Sequence, residues 1–172
     1  FVDVPRQRNS RAENATIKAG GVPEAWAQVP AKQRQKDVDA RWTKKHGRAH
    51  FGYKNHIGID RRHKLVRRYA VSTASVHDSQ KLEDVLDPNN TASGVWADSA
   101  YRSEATEAVL SEAGYESHIC ETGRGNEPLS DAQRAANRTR SKVRSRVEHI
   151  FGFQHNSMGG KLIRTIGKAR AE

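Results

Sequence analysis

The chain has 172 residues, of which 35% are hydrophobic and 29% charged, with 30 Lys/Arg against 20 Asp/Glu and a formal net charge of +10. That length suits one globular domain with an apolar core and falls short of two comfortable ones. A single cysteine, Cys120, excludes an internal disulfide framework and suits a reducing compartment, and no apolar run approaches the length of a membrane span.

The charge is uneven. Residues 1–50 hold eleven basic and five acidic groups, 51–131 hold nine and thirteen, and 132–170 hold ten and one. Basic flanks suit a polyanion, DNA or RNA, and an acidic middle suits a divalent cation. A solvated basic tail is the plainer account of each flank.

In chain order, Phe1-Val2-Asp3-Val4-Pro5 reads as the end of a strand stopped by its proline. Residues 6–50 are rich in Arg, Lys, Gln and small residues and are broken by Gly20-Gly21 and two prolines. They are expected to form an irregular basic insertion, with Trp26 and Trp42 as packing anchors rather than base-stacking platforms. Strict alternation over 51–59 then puts Phe51, Tyr53, Ile57 and Ile59 on one face and Lys54, His56 and Asp60 on the other. With a charged turn over 60–64 and a second strand over 65–72, the pair reads as an antiparallel hairpin.

Val76-His77-Asp78-Ser79 leads into a short amphipathic helix carrying Leu82, Val85 and Leu86, which Asp87-Pro88-Asn89-Asn90 ends. Asp78 either caps that helix or serves a site. His56 and His77 lack the spacing of a zinc pair. Gly94-Val95-Trp96-Ala97 reads as a short buried strand ending on Asp98, followed by Ser99-Ala100-Tyr101-Arg102. A helix over 104–113 has Ser103 as its cap and Gly114 as its stop, and residues 115–120 form another strand.

The basic helix expected over 131–151 opens with a capping box, Ser130 and Gln133. Ala132, Ala136, Thr139, Val143, Val147 and Ile150 form a narrow apolar stripe along it, suited to packing on a core. Glu148, at the edge of that stripe, is the one acid between 132 and 170. It either pairs with Arg144 one turn earlier or holds a metal while the arginines hold phosphates. The second role needs partner carboxylates. Asp98, at the carboxyl end of a strand where α/β sheets collect ligands, is the natural partner. Mg²⁺ takes a few carboxylate oxygens plus waters and substrate phosphates, and two such ions serve phosphodiester chemistry.

Four blocks in order, Phe51-Gly52-Tyr53-Lys54-Asn55-His56-Ile57-Gly58-Ile59-Asp60, Ser75-Val76-His77-Asp78, Ala97-Asp98-Ser99-Ala100-Tyr101 and Arg144-Ser145-Arg146-Val147-Glu148-His149-Ile150-Phe151, resemble bacterial insertion-sequence transposases of the DDE type. The resemblance covers nearly the whole chain. It implies an α/β fold of the RNase H-like kind, a mixed sheet flanked by helices and truncated here at its first strand. It implies an enzyme that cleaves DNA at transposon ends and joins it to target DNA with two Mg²⁺ ions, Mn²⁺ substituting. Asp98 matches the family's second aspartate and Glu148 its glutamate, both as catalytic metal ligands. Lys54, His56, Arg144, Arg146 and His155 are expected at the DNA, with His77, Asp78 and Tyr101 as supports. Arg144 matches the arginine of Tyr-x-x-Arg-x-x-x-Glu. Ser141 stands where that motif has tyrosine, and His155 where it has a following lysine.

By the family's register the first aspartate lies three residues before Phe1, which makes Asp3 a neighbour; Asp3 or Asp60 substitutes only if the register shifts. The chain is therefore expected to be a partial catalytic domain, inactive by itself, with 1–5 ending the first strand, 6–50 inserted and 51–172 as core. The implied partners are double-stranded DNA and a second copy of the chain, with no membrane, in the bacterial cytoplasm at the nucleoid. The rival readings are an inert nucleic-acid-binding module, for which basic flanks suffice, and a decayed transposase remnant. Metal binding at Asp98 and Glu148 separates the first rival from an enzyme.

Overall fold

The computed structural model describes residues 1–4, 7–89, 94–123, 125 and 127–172. Pro5, expected to stop the first strand, and Asn90, last of the run expected to end a helix, lie outside the described residues. The elements are β1 (Val2–Asp3), α1 (Arg11–Lys18), α2 (Glu24–Ala27), α3 (Pro30–Gln33), β2 (Arg41–Lys45), β3 (Arg48–Ile59), β4 (Val66–Thr73), a 3-10 turn (Asp78–Lys81) running into α4 (Leu82–Val85), β5 (Gly94–Val95), a 3-10 turn (Ser99–Tyr101), α5 (Glu104–Glu112), β6 (Glu116–Ser117), α6 (Asp131–Arg144), α7 (Arg146–Asn156) and α8 (Lys168–Ala171). β1 and β2 flank β3 antiparallel, β4 also pairs β3, and β5 runs parallel to β6, so the architecture is mixed α/β as expected. No helix among the described residues is long and apolar enough to cross a membrane. The chain forms two compact units, Phe1–Asn55 with Ala70–Val76 and Gln154–Glu172, and His56–Tyr69 with His77–Phe153.

In the first unit the stretch expected to be irregular is built of α1, α2, α3, β2 and the start of β3. Ser10 and Glu13 close a capping box on α1, with the Ser10 amide 2.6 Å from Glu13 Oε2 and the Glu13 amide 3.1 Å from Ser10 Oγ. Hydropathy hides this order because the interior is polar: Asn9, Asn14, Lys36 and Asp37 are all buried. Both tryptophans are anchors, as expected. Trp26 is fully buried and donates to Glu13 Oε1 at 2.6 Å, while Trp42 donates to the Asn9 carbonyl at 2.7 Å and tilts against Phe51. Val4, Ala40, Phe51, Tyr53 and Val71 form the core, backed by Trp42, Ile163 and Ala171. β1 crosses β3 at Gly52, whose φ is +154° and where an added Cβ would lie 2.2 Å from the Val2 carbonyl oxygen. Only glycine permits that approach.

In the second unit the parallel ladder of β5 and β6 continues past both strands, through His118 N–H to Val95 O at 2.8 Å and Cys120 N–H to Ala97 O at 3.1 Å. Asp98 is therefore the first residue to leave it. Leu82, Ala97, Leu110 and Ile119 form the core here, with Leu86, Val95, Tyr101 and Tyr115 against it. α5 begins on Ser103, which accepts from the Thr106 amide at 3.1 Å, and stops at Gly114 with φ +73°, as expected. The hairpin turn closes through Asp60 N–H to Leu65 O at 2.8 Å, with Lys64 in the left-handed region at φ 61°.

The basic helix differs from expectation in two ways. It is interrupted at Ser145, whose hydroxyl donates to the Lys142 carbonyl at 3.1 Å, and the Glu148 amide then bonds Ser145 O at 3.0 Å. Serine bonding back to its own helix bends it without any glycine or proline to announce the break. Nor does the apolar stripe alone seat α6, since Ala136 and Val143 are half-buried but Ala132 and Thr139 are exposed. A polar row completes the seat. Asn137 clamps the Glu121 backbone at both its amide (2.8 Å) and carbonyl (2.9 Å), while Gln133 and Arg140 hold the two Glu121 carboxylate oxygens at 2.8 and 3.0 Å.

The Arg140 guanidinium, then Gln133, hold the Glu121 carboxyl below its ordinary value of 4.5. A group depressed in the folded state adds stability above its unfolded value and loses it as pH falls through the folded one. The stability gap between the wild type and Glu121→Gln, read from thermal melts, is therefore expected to be fully open above pH 4.5 and to shrink below it. A gap independent of pH would contradict the seat.

Candidate active site

Asp98 stands exposed where the ladder ends, in extended backbone (φ −69°, ψ 156°), and does not cap the turn that follows. Its Oδ1 accepts from the Ser99 hydroxyl at 3.2 Å. Beside it, burial and then the carboxylates of Asp78 and Asp98 push the Tyr101 phenol up to about 12, so Tyr101 remains a protonated donor at neutral pH. The same interactions put Asp78 and Asp98 in one neighbourhood. The atom that caps the preceding 3-10 turn is Nδ1 of His77, which accepts from the Ser79 amide at 3.3 Å and lies 2.8 Å from the Ser79 hydroxyl. The capping alternative for Asp78 is thereby replaced.

Glu148 lies in the first turn of α7, where the helix dipole favours an acid. Arg144 reaches its Oε1 at 3.0 Å, and the Glu148 side chain remains 59% exposed. The ion pair of the plainer reading thus forms. Exposed pairs of this spacing are worth about 0.3–0.5 kcal/mol, too little to keep a carboxylate from a divalent cation.

A run of contacts within the second unit links the elements that carry the two acids. Arg146 donates to the Arg61 carbonyl at 2.5 Å, and the Arg61 guanidinium lies 4.8 Å from the centre of the Trp96 ring, which stacks on His118 at 4.4 Å. Trp96 is two residues ahead of Asp98. Arg61 belongs to the charged turn over 60–64, and its stacking partner is too distant in sequence for any local pattern to reveal it.

Among the described residues no three His, Cys, Asp or Glu side chains form a group able to hold a metal ion. Carboxylate oxygens such as those of Asp98 and Glu148 are hard donors of the kind Mg²⁺ takes, one or two at a time, with water and substrate phosphate completing its shell. Asp60 is taken up by its turn: the His63 amide, 2.5 Å from Oδ1, lowers its pKa. Asp3 faces His50 at 3.4 Å.

Residues 17–172 match the family described as the transposase DDE domain. The chain belongs to the transposase DDE family. The transposase for insertion sequence element IS1106 of Neisseria meningitidis serogroup B is 33% identical to it over 120 residues, 70% of this chain and 41% of that protein. The chain thus spans less than half the length of that relative. No solved structure matches.

On this transposase chain the other expected site residues fall into distinct settings. Lys54 donates to the Val76 carbonyl at 2.6 Å, steadying the backbone just ahead of His77. His56 is only 4% exposed, which corrects its expected place at the DNA. A buried imidazole cannot reach a phosphate. His155, standing where the motif has lysine, has its pKa lowered by burial and by the charge of Lys161.

Proposed function

We propose that the chain is catalytic-domain material of a DNA transposase, with an RNase H-like arrangement, that cleaves phosphodiesters at transposon ends and transfers the freed strand into target DNA. The observation that carries this reading is the pair of exposed acids, Asp98 at the end of a parallel ladder and Glu148 on an arginine-rich helix, joined through Arg146, Arg61 and Trp96. Asp98 and Glu148 would hold Mg²⁺ or Mn²⁺, which supplies an activated attacking oxygen and stabilises the leaving one.

The chain's own residues do the rest. Arg144 orients the Glu148 carboxylate, and the protonated Tyr101 phenol supports the acids beside it. His77 fixes the turn that carries Asp78, and Lys54 anchors the residue before it. Arg144 and Arg146, beside Glu148, neutralise phosphates, which gives duplex affinity its salt dependence. Two transposon ends call for a second copy of the protein, and the DNA substrate places the work at the nucleoid.

Titrating the chain into Mn²⁺, with and without duplex DNA, tests the metal role by the loss of the free-ion paramagnetic resonance signal. The signal is expected to fall, more steeply with DNA because phosphate oxygens complete the shell. A signal unchanged by the chain alone, and lowered by the chain with DNA no further than by DNA alone, would leave a cationic DNA-binding protein without metal chemistry.

A further inference from the structure

A second cationic row lies on α6, on residues other than those that serve Asp98 and Glu148. Because Gln133, Asn137 and Arg140 are turned to Glu121, Arg134, Arg138 and Lys142 form a separate row at intervals of four residues. They border an open groove of ≈ 670 Å³ that runs from Leu129 to Ser145 and has no acidic residue in its lining. Arg138 and Lys142 are exposed and have no acidic partner among the described residues. Arg134 is held by Asp131 at 2.6 Å, but their side chains are 50% and 97% exposed. A pair so solvated gives way to a better anion.

From this we infer that the α6 groove is a track for the phosphates of one strand of duplex DNA, a contact additional to those assigned above. The inference rests on the reading of the chain as a DNA-handling transposase. Four residues rise about 6 Å along a helix, so the three cations span about 12 Å. At about 3.4 Å of axis per phosphate on each strand, that length covers three or four phosphates. The groove is too open to enclose a small molecule, whose sites bury most of the ligand. An extended backbone passing along it needs no enclosure. The double clamp of Asn137 on Glu121 keeps the row from rotating away. All three cations address phosphate, so the contact adds affinity without choosing sequence.

The test compares the wild-type chain with the double variant Arg138→Ala/Lys142→Ala by fluorescence anisotropy on a short duplex across a salt series. Both side chains are exposed, so the variant keeps its fold, which circular dichroism checks. Each lost phosphate contact lowers the log–log salt slope by about 0.9, so a drop of about 1.8 is expected, the same on an arbitrary duplex as on one carrying a transposon end. A control double variant, Lys18→Ala/Lys32→Ala, removes two exposed charges elsewhere and is expected to lose none of that slope. A slope shared by the wild type and the Arg138/Lys142 variant, while the wild type binds DNA well, would overturn the groove assignment alone. If the wild type shows no salt-dependent duplex binding, the DNA reading falls and the groove falls with it. A loss confined to transposon-end DNA, or to an RNA duplex used as competitor, would overturn the sequence-independent DNA track.

Discussion

Asp98→Asn and Glu148→Gln, each made in the full-length protein, are expected to abolish Mg²⁺-dependent nicking of a duplex that carries a transposon end. Loss of a residue that merely orients a metal ligand costs about 10–100-fold, so loss of the ligand itself should exceed about 100-fold. Neither substitution threatens the fold. Asp98 is exposed and its carboxylate bonds the neighbouring Ser99 hydroxyl, while Glu148 gives up a surface ion pair with Arg144. Duplex affinity is expected to hold or to rise slightly, because cations supply it and each substitution removes a negative charge near phosphate. The informative result is that separation, cleavage lost and binding kept, read on the same preparation by a nicking gel and by anisotropy. Nicking that survives Glu148→Gln would remove the residue from the metal site and return it to the role of a helix-surface ion pair.

What could be read from the chain alone were features whose cause is local. The Ser130/Gln133 capping box, the Ser103 cap, the Gly114 stop and the charged turn over 60–64 involve partners within a few residues, so residue type and spacing suffice. The end of a strand at Asp98 was legible for the same reason. Features decided by distant partners were not. The seat of α6 is partly polar, and a search for apolar periodicity looks past Gln133, Asn137 and Arg140. The turn before α4 is capped by an imidazole, a residue type without a strong capping preference, so the neighbouring Asp78 drew attention instead. His56 continues the alternation of a strand, yet burial overrides the face that alternation assigns it. The basic stretch ahead of β3 is ordered around polar groups, and hydropathy carries no sign of that.

Asp37 is the extreme case of the last kind, and Asp37→Ala is expected to have the largest effect on stability. The residue is 1% exposed, and its carboxylate accepts from the Tyr53 hydroxyl at 2.8 and 2.9 Å and from the amides of Asp39 (3.0 Å), Ala40 (3.0 Å) and Gly167 (3.1 Å). Tyr53 is itself 1% exposed, and burial together with this hydrogen bond drives its phenol far above its ordinary range. Alanine would leave four donors facing a dry gap. At about 1–3 kcal/mol for each unsatisfied buried group, the loss is at least about 4 kcal/mol. For a chain of this size each kcal/mol moves the melting temperature by about 2–4 °C, so a fall of roughly 8–16 °C is expected in a thermal melt. Tyr53→Phe removes one donor together with its need for an acceptor and is expected to cost far less. Asp37→Asn should fall between them, since one oxygen still serves two amides while its NH₂ group opposes the others. The Gly167 and Lys168 amides, held by Asp37 and Asp39, give a second readout: under Asp37→Ala the Gly167 amide should exchange with solvent at a rate approaching that of an open chain. If that amide stayed protected, the start of α8 would be docked by the burial of Ile163 and Ala171 against the core, with the aspartate following the fold instead of fixing it.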